Sequence, residues 1–571
     1  MSDLLLHPAW PLLIAAVLVR VLPRRPGQLL SLIAPVLALA GVLTLTDGTL
    51  VTAPLMTFEL ELLRVDRLTT AFGVVFAVAA LLSVIYGLAT QPIGERGVAL
   101  AYAGAAMGVI YAGDLLTLFL FWELKAVTSS FVVLSRRTHR SNRAGMRYLF
   151  FHIAGGKLLL GGLIVQYQTT GSLTFTAFES GVAGWLVLAA FALSAGVPPL
   201  HAWLKDAYPT ASVAGTVFLS AFTTKAAVYA LIRGFPGSQV LLYLGVIMAT
   251  YGVLYAILEN DIRRLLSYHI ISQVGFMVTA VGIGTETALN GATAHAFAHI
   301  LYKGLLLMGM GAVLYATGRS RASDLGGILN RMRSVAVLYM IGAVSISSLP
   351  LFSGYISKEI AVQGVSVAGY SGLVFLLKIA SVGTFLSTGL KLPYATWFGH
   401  EGAGPRTNEG ARIHVRRVPV SMYVAMGGAA ALNLALGVQP QLLYGLLPFD
   451  ELYDVYTLGK VVETLQLLGF TALAFWLWFD RLAPKAKFSL DTDWVYRRLP
   501  EVLRGDAPRG EGTPAAISGA TAVLVRSREA VLERVVPAEK GVPPIAVTWL
   551  LGAAVVGAGV VFLLLSLGGG S

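Results

Sequence analysis

Apolar residues come in blocks of spanning length along almost the whole chain, separated by short polar turns. The blocks fall near 4–22, 28–46, 66–90, 98–112, 114–135, 147–168, 182–204, 210–233, 239–258, 264–284, 287–317, 333–366, 371–398, 420–441, 463–482 and 543–566. Each is close to the ~20 residues that a helix needs to cross a bilayer. The pattern predicts an all-α polytopic membrane protein with about 16 transmembrane helices. The first block lacks a basic leading region and a small-residue cleavage site, so it reads as a retained helix.

The polar turns alternate in charge. If the turn with Arg20, Arg24 and Arg25 is cytoplasmic, the same side receives the basic segments 136–147, 259–264, 318–333 and 400–418, the last carrying Arg412, Arg416 and Arg417. The other side receives Asp47, Glu59 and Glu61, and later Asp450, Glu451 and Asp454. Cytoplasmic loops carry the excess of lysine and arginine, which predicts both termini outside the cytoplasm.

Two blocks are interrupted in the same way. At Gly196-Val197-Pro198-Pro199 the apolar run stops, and an amphipathic turn, HAWLKDAYP, precedes the next span. Proline lacks a backbone donor and clashes with the preceding turn, so it breaks the helix. ALSAGVPPLHAWL at 192–204 is echoed by SISSLPLFSGYISKEI at 345–360. Paired broken helices in two halves of a membrane chain point to a transport site. From 483 to 542 the chain turns polar, with an amphipathic stretch, ATAVLVRSREAVLERVV, suited to a membrane surface or a partner. The last apolar block follows it.

Composition narrows the class. The chain of 571 residues is 56% hydrophobic and 13% charged, with a mean hydropathy of +0.73; soluble domains carry about 25% charged residues. With no cysteine it has no disulfide, thiolate metal site or cysteine-ligated iron–sulfur cluster. The net charge of +12 lies in short loops between apolar blocks, which argues for a lipid bilayer and against nucleic acid.

Candidate chemistry lies inside the apolar blocks. A charge at the bilayer centre costs at least ~2.5–3.5 kcal/mol and marks ion pathways. Glu123 sits in LLTLFLFWELKAVTSSF, with Lys125 on a different helix face. Lys157 follows Gly155 and Gly156, whose size admits a second helix. Lys225 lies deep in the span after the first break. His295, His299 and Lys303 are spaced four and four, on one helical face. Histidine titrates near neutrality and a desolvated lysine is pulled towards it, so this row suits proton transfer. Lys358 and Glu359 follow the second break, whereas Lys378 and Lys391 lie nearer span ends, where lysines reach the interface. HAFAH lacks the glutamate of a zinc protease helix, and the chain has no nucleotide loop, flavin motif or haem signature. No cofactor and no metal are predicted.

Several stretches carry a resemblance. FWEL around Glu123, PLHAWLKDAYP, TKAAVYALIR, DIRRLLSYHIISQVGFM at 261–277, HAFAHILYKGLLLMG and LPLFSGYISKE together resemble the antiporter-like membrane subunits. That family comprises Mrp-type multisubunit cation/proton antiporters and the large proton-pumping subunits of respiratory complex I. The resemblance covers roughly 60–400, and TASVAGTVFLSAFTTKAAVYALIRGFPG and SLDTDWVYRR are most similar to the D-type component of Mrp-type Na⁺/H⁺ antiporters.

The resemblance implies two inverted five-helix repeats, each with a broken helix, at 98–235 and 236–400. Flanking them are N-terminal helices (1–97), C-terminal helices (401–482), a cytoplasmic amphipathic segment (483–542) and a final helix (543–571). It also implies a bacterial inner-membrane location and other membrane subunits as partners. Glu123 matches the family glutamate, Lys225 the lysine between the half-channels, and His295, His299 and Lys303 the central relay. Lys358 matches the lysine at the exit. The family lysine seven residues before His201 is Ser194 here, and Lys157 is expected to replace it as the ion-pair partner of Glu123. The function implied is proton translocation in exchange for Na⁺ or another monovalent cation, by a transport subunit rather than an enzyme. Alternatives are a proton-pumping module of a redox complex, a module of an ion-coupled bicarbonate uptake system, and a non-conducting scaffold.

Overall fold

Polar residues at the ends of the apolar blocks start the helices. The side chains of Asp66, Asp114, Thr138, Ser212, Asp261 and Thr285 each accept a backbone N–H two or three residues on. Each satisfies a donor that a helix start leaves without an intrahelical partner. The computed structural model describes residues 6–55, 58–399, 413–451 and 453–478.

The chain begins with α1 (Ala9–Val21) and α2 (Arg24–Thr44), followed by an antiparallel hairpin of β1 (Leu50–Leu55) and β2 (Phe58–Arg64). Then come α3 (Arg67–Gly87), α4 (Ile93–Tyr111), α5 (Leu115–Leu134) and α6 (His139–Thr170). The first broken span is α7 (Val182–Ala195) and α8 (Ala202–Thr210). It leads to α9 (Val213–Ala221) and α10 (Thr223–Gly234), then α11 (Gln239–Leu258), α12 (Ile262–Ile283) and α13 (Glu286–Thr317). The second broken span is α14 (Arg333–Ile346) and α15 (Ser353–Val367). After it, α16 (Ser371–Thr384) continues in π-helical turns at Phe385–Lys391 and Tyr394–Phe398. The series closes with α17 (Val420–Val438), the short α18 (Gln441–Tyr444) and α19 (Leu458–Leu477).

Both expected breaks are present: the helix stops at Ala195 and at Ile346. At the first, Gly196 takes φ 80°, a left-handed conformation that only glycine adopts without strain. At the second, Ser348 and Leu351 take φ 64° and 74°, which costs backbone strain in residues with a Cβ.

Three features depart from the sequence reading. Among the described residues, 11 helices are long and apolar enough to span, with Ala9–Val21, Val182–Ala195 and Arg333–Ile346 as shorter apolar pieces. The two broken spans each divide into short helices, and the first block forms only the 13-residue Ala9–Val21. The 483–542 segment and the block at 543–566 lie outside the described residues. The hairpin at 50–64 carries no strong apolar signal, since only Leu60 and Leu63 of β2 are buried. The span at 210–233 is itself interrupted, at Phe222.

The charge alternation becomes geometry. At one end of the bundle Arg136 donates to the carbonyls of Pro209, Thr210 and Ala211, and Arg263 to those of Ala211 and Ser212. Arg331 donates to Ile413 O, and Arg416 N to Ala316 O, at the same end. At the other end Arg67 pairs with Asp450 at 2.5 Å and Arg233 with Asp66 at 2.6 Å, and Thr287 N donates to Glu451.

In the second half, α11 and α12 touch backbone to backbone. A Cβ on Gly252 would stand 2.5 Å from Ser272 N and 2.7 Å from Tyr268 O, so only glycine allows this approach. The centre belongs to α13, which packs against α3, α9, α12, α14, α15 and α17.

Candidate functional site

In the first half, Glu123 lies on α5 with its carboxyl group against α6. A Cβ on Gly156 would stand 2.7 Å from Glu123 Cδ, with Oε1 nearer still. Gly156 therefore makes room for the carboxylate itself, whereas Gly155 beside it faces Leu193 and Ala190 of α7. The expected Glu123–Lys157 pair is not hydrogen-bonded: both Glu123 Oε1 and Lys157 Nζ are buried without a hydrogen-bond partner. A lysine one residue beyond the glycine in contact projects from another face of α6, which explains the missing direct bond.

Lys125 turns inward from α5. It is fully buried, its Nζ lies 3.3 Å from the centroid of the Trp122 ring, and it has no hydrogen-bond partner. The cation–π contact offsets part of the desolvation cost. Nearby, His152 on α6 stacks on Tyr148 at 4.0 Å and meets the Trp203 edge at 4.5 Å. Tyr148 and Tyr102 hydroxyls both bond Thr223 Oγ1, at 3.0 and 2.6 Å, and Thr223 N donates to Tyr102 OH. The interruption before Thr223 is thus bonded by phenols. It also leaves the Ser220 carbonyl free to accept from Lys225 Nζ at 2.6 Å. Ser194 is fully buried with its hydroxyl unpartnered.

His295, His299 and Lys303 fall on one face of α13, all fully buried. His295 Nδ1 is 3.1 Å from Ser357 Oγ on α15, and Tyr302 OH is 3.4 Å from His295 Nε2. The two imidazole centroids are 6.2 Å apart. Neither nitrogen of His299, nor Lys303 Nζ, has a hydrogen-bond partner. Lys358 Nζ donates to Ile346 O at 2.8 Å, the end of the first half of the second broken span, and to Ser381 Oγ at 3.2 Å. Phe276 packs near both groups, its ring 5.3 Å from Lys358 Nζ and 5.9 Å from the His295 imidazole.

Sequence reasoning passed over His269. It is fully buried on α12, and its Nε2 is 2.7 Å from Ser387 Oγ in the π-helical part of the span from Ser371. The signal was an ionisable residue in an apolar run, SYHIISQ. Lys125 and His152 carried the same signal. Lys391 instead donates to Ile257 O at 2.6 Å, capping the end of α11, and Lys378 pairs with Glu463 on α19. Among the described residues no cluster of three or more His, Cys, Asp or Glu suits a metal ion.

The row permits one chemistry well. Residues four apart on a helix are separated by ~6 Å of rise. Two unit charges at ~6 Å repel by ~2.8 kcal/mol at an effective dielectric of about 20, roughly a hundredfold in occupancy. Neighbouring members therefore resist holding charge together, and a proton arriving at one favours departure from the next. Neutral imidazole and amine both accept and return a proton without breaking a bond to carbon.

A helical membrane subunit with ionisable side chains buried through two halves, each with a broken helix, is the class that fold and site define. Residues 112–387 match the family model described as NADH:quinone oxidoreductase/Mrp antiporter, transmembrane. The chain is 28% identical over 372 residues to the D-type component of the Na⁺/H⁺ antiporter of Alkalihalophilus pseudofirmus, covering 61% of this chain and 73% of the relative. It is 30% identical over 365 residues to the N-type component of the NADH-quinone oxidoreductase of Desulforudis audaxviator, covering 59% and 72%. Hydrogenase-4 component B of Escherichia coli is 29% identical over 429 residues, 68% of this chain, and the match spans 63% of that longer relative. A solved Mrp complex from a Dietzia species contains a chain of the same fold, with a TM-score of 0.68 at 25% identity, covering 78% of this chain and 96% of that one. The chain belongs to the NADH:quinone oxidoreductase/Mrp antiporter family of membrane subunits.

Proposed function

We propose that this chain is the proton-translocating subunit of a multisubunit monovalent cation/proton antiporter, with Na⁺ as the first candidate cation. Protons pass through Glu123, Lys157, Lys225, His295, His299, Lys303 and Lys358, with His269 as an added member. The observation that carries the reading is the α13 row, three fully buried ionisable groups on one face, two of them without a hydrogen-bond partner. A scaffold gains nothing from such costly groups. The similarity to the D-type antiporter component supports exchange against a cation. A second reading, a proton-pumping module of a redox-driven complex, draws on the comparable similarity to the N-type quinone oxidoreductase component and to hydrogenase-4 component B. In both, partner subunits complete the machine.

The test is ΔpH-dependent proton flux in vesicles holding the whole complex, with and without Na⁺, for wild type and Lys303→Ala. Antiport predicts flux that requires Na⁺ and falls at least tenfold in the variant. Flux independent of Na⁺ but lost in the variant selects the pump module. Flux untouched by the variant overturns both readings and leaves a scaffold.

A further inference from the structure

One charged cluster lies beyond the row. Between α15, α16 and α19 is a cavity of about 40 Å³ lined by Lys358, Glu359, Lys378, Ser348, Ser381 and Glu463. A buried water needs about 10–15 Å³ and two or more polar partners, so this space has room for about three waters. Lys358 enters it from the row through its bond to Ser381 Oγ. On the far side, Glu463 and Lys378 form an ion pair, and Lys460 approaches Glu359 at 4.0 Å. The side chains of Glu463 and Lys378 are the exposed members, at 45% and 36%, while that of Glu359 is at 18%. At the surface of this chain taken alone, exposure therefore rises step by step from the buried Lys358 to Glu463. The cluster lies beside the first turns of α19, and Tyr453 of the acidic loop before that helix faces Glu359 and Glu463.

We propose that this cavity is the proton outlet of the second half, in which Glu359 and Glu463 take the proton from Lys358 and the Lys378–Glu463 pair acts as its latch. The inference rests on the transport reading above. The step is a proton transfer alone: the Lys358 ammonium becomes a neutral amine and a carboxylate becomes a carboxylic acid. That acid then returns its proton to water at the acidic end of the bundle, and no electron moves. The charged and titratable groups facing Glu359 are Lys358 on its own helix, Lys378 on α16, Lys460 and Glu463 on α19, and the phenols of Tyr355 and Tyr453. In this arrangement Lys378 holds Glu463 ionised and in place while the outlet rests. Protonation of Glu463 cancels the attraction and opens the latch.

A purely structural role makes a different prediction. Ion pairs that only fasten α19 to the bundle lose the same interaction whichever partner is neutralised. A latch on a proton path is asymmetric. Proton flux in vesicles of the whole complex is measured for Glu463→Gln, Glu463→Asp and Lys378→Gln. The outlet predicts a fall of at least fivefold for Glu463→Gln, retention in Glu463→Asp, and flux at or above wild type for Lys378→Gln. Equal losses for Glu463→Gln and Lys378→Gln, or no loss in the former, overturn it.

The chain has no native cysteine, so a second measurement is direct. Thr464 also lines the cavity, and Thr464→Cys is expected to react with a membrane-impermeant thiol reagent applied at the acidic end, lowering flux as the label accumulates. A cysteine there that stays unlabelled from that face refutes the outlet even if Glu463→Gln fails to assemble. Loss of flux in Lys303→Ala alongside normal flux in Glu463→Gln removes the outlet alone, whereas normal flux in Lys303→Ala removes the transport reading beneath it.

Discussion

The placement of the Glu123 carboxylate can be tested from the opposite helix, without touching an ionisable group. A methyl group at Gly156 would put Cβ 2.7 Å from Glu123 Cδ. Non-bonded carbons rest at about 3.5–4.0 Å, and Oε1 stands nearer the added Cβ than Cδ does, so the carboxyl group must retreat by at least about 1 Å. The obstructing atoms are the end of a flexible side chain, and alanine in a helix interior is favoured over glycine by about 1 kcal/mol. Gly156→Ala is therefore expected to leave thermal stability unchanged or slightly raised. Proton transfer is less forgiving, because displacement of a reacting group by ~1 Å costs up to about a hundredfold. The expected result is a ten- to hundredfold loss of ΔpH-driven flux in vesicles of the assembled complex, with an unaltered melting profile. Gly155→Ala is the control, since its Cβ would meet Leu193 at an ordinary 3.4 Å. Flux above half of wild type in Gly156→Ala, or equal losses in the two variants, refutes the argument that the carboxylate's position matters.

Three other substitutions probe separate parts of the structure. Lys157→Ala is expected to lower flux about tenfold and Lys157→Arg to retain it, because the proposed role asks for a cation next to the glycine that faces Glu123 and not for a hydrogen bond; unchanged flux in Lys157→Ala ends its assignment as partner of Glu123. Lys125→Met removes a buried, unpartnered ammonium at similar volume. Since a buried charge costs several kcal/mol and the Trp122 ring offsets only part of it, the melting temperature is expected to hold or rise while flux falls, and a lower melting temperature would mark Lys125 as structural. Gly252→Ala forces α11 from α12 and is expected to cost about 1–3 kcal/mol by overpacking, read as earlier thermal unfolding of the complex; an unchanged transition would show that the two backbones have room to part.

The membrane class, both helix breaks, the grouping of basic and acidic turns at opposite ends, and the buried row are all written in the order of residues. They are legible because water, lipid and backbone geometry act on local patterns. Twenty apolar residues span, Pro198 and Pro199 cannot continue a helix, and residues spaced by four share a face. Which groups meet is a matter of packing. Glu123 and Lys157 looked like a pair by charge, yet the glycine at 156, not the lysine after it, faces the carboxylate. His269 is joined to Ser387 across 118 positions by packing of α12 on a π-helical turn that no local signal announces. The Lys378–Glu463 pair similarly links residues 85 apart. Such partnerships depend on the rotation of one helix against another. A rotation of one residue is about 100°, enough to replace a carboxylate's neighbour, and it is set by the sum of all contacts rather than by any stretch of the chain.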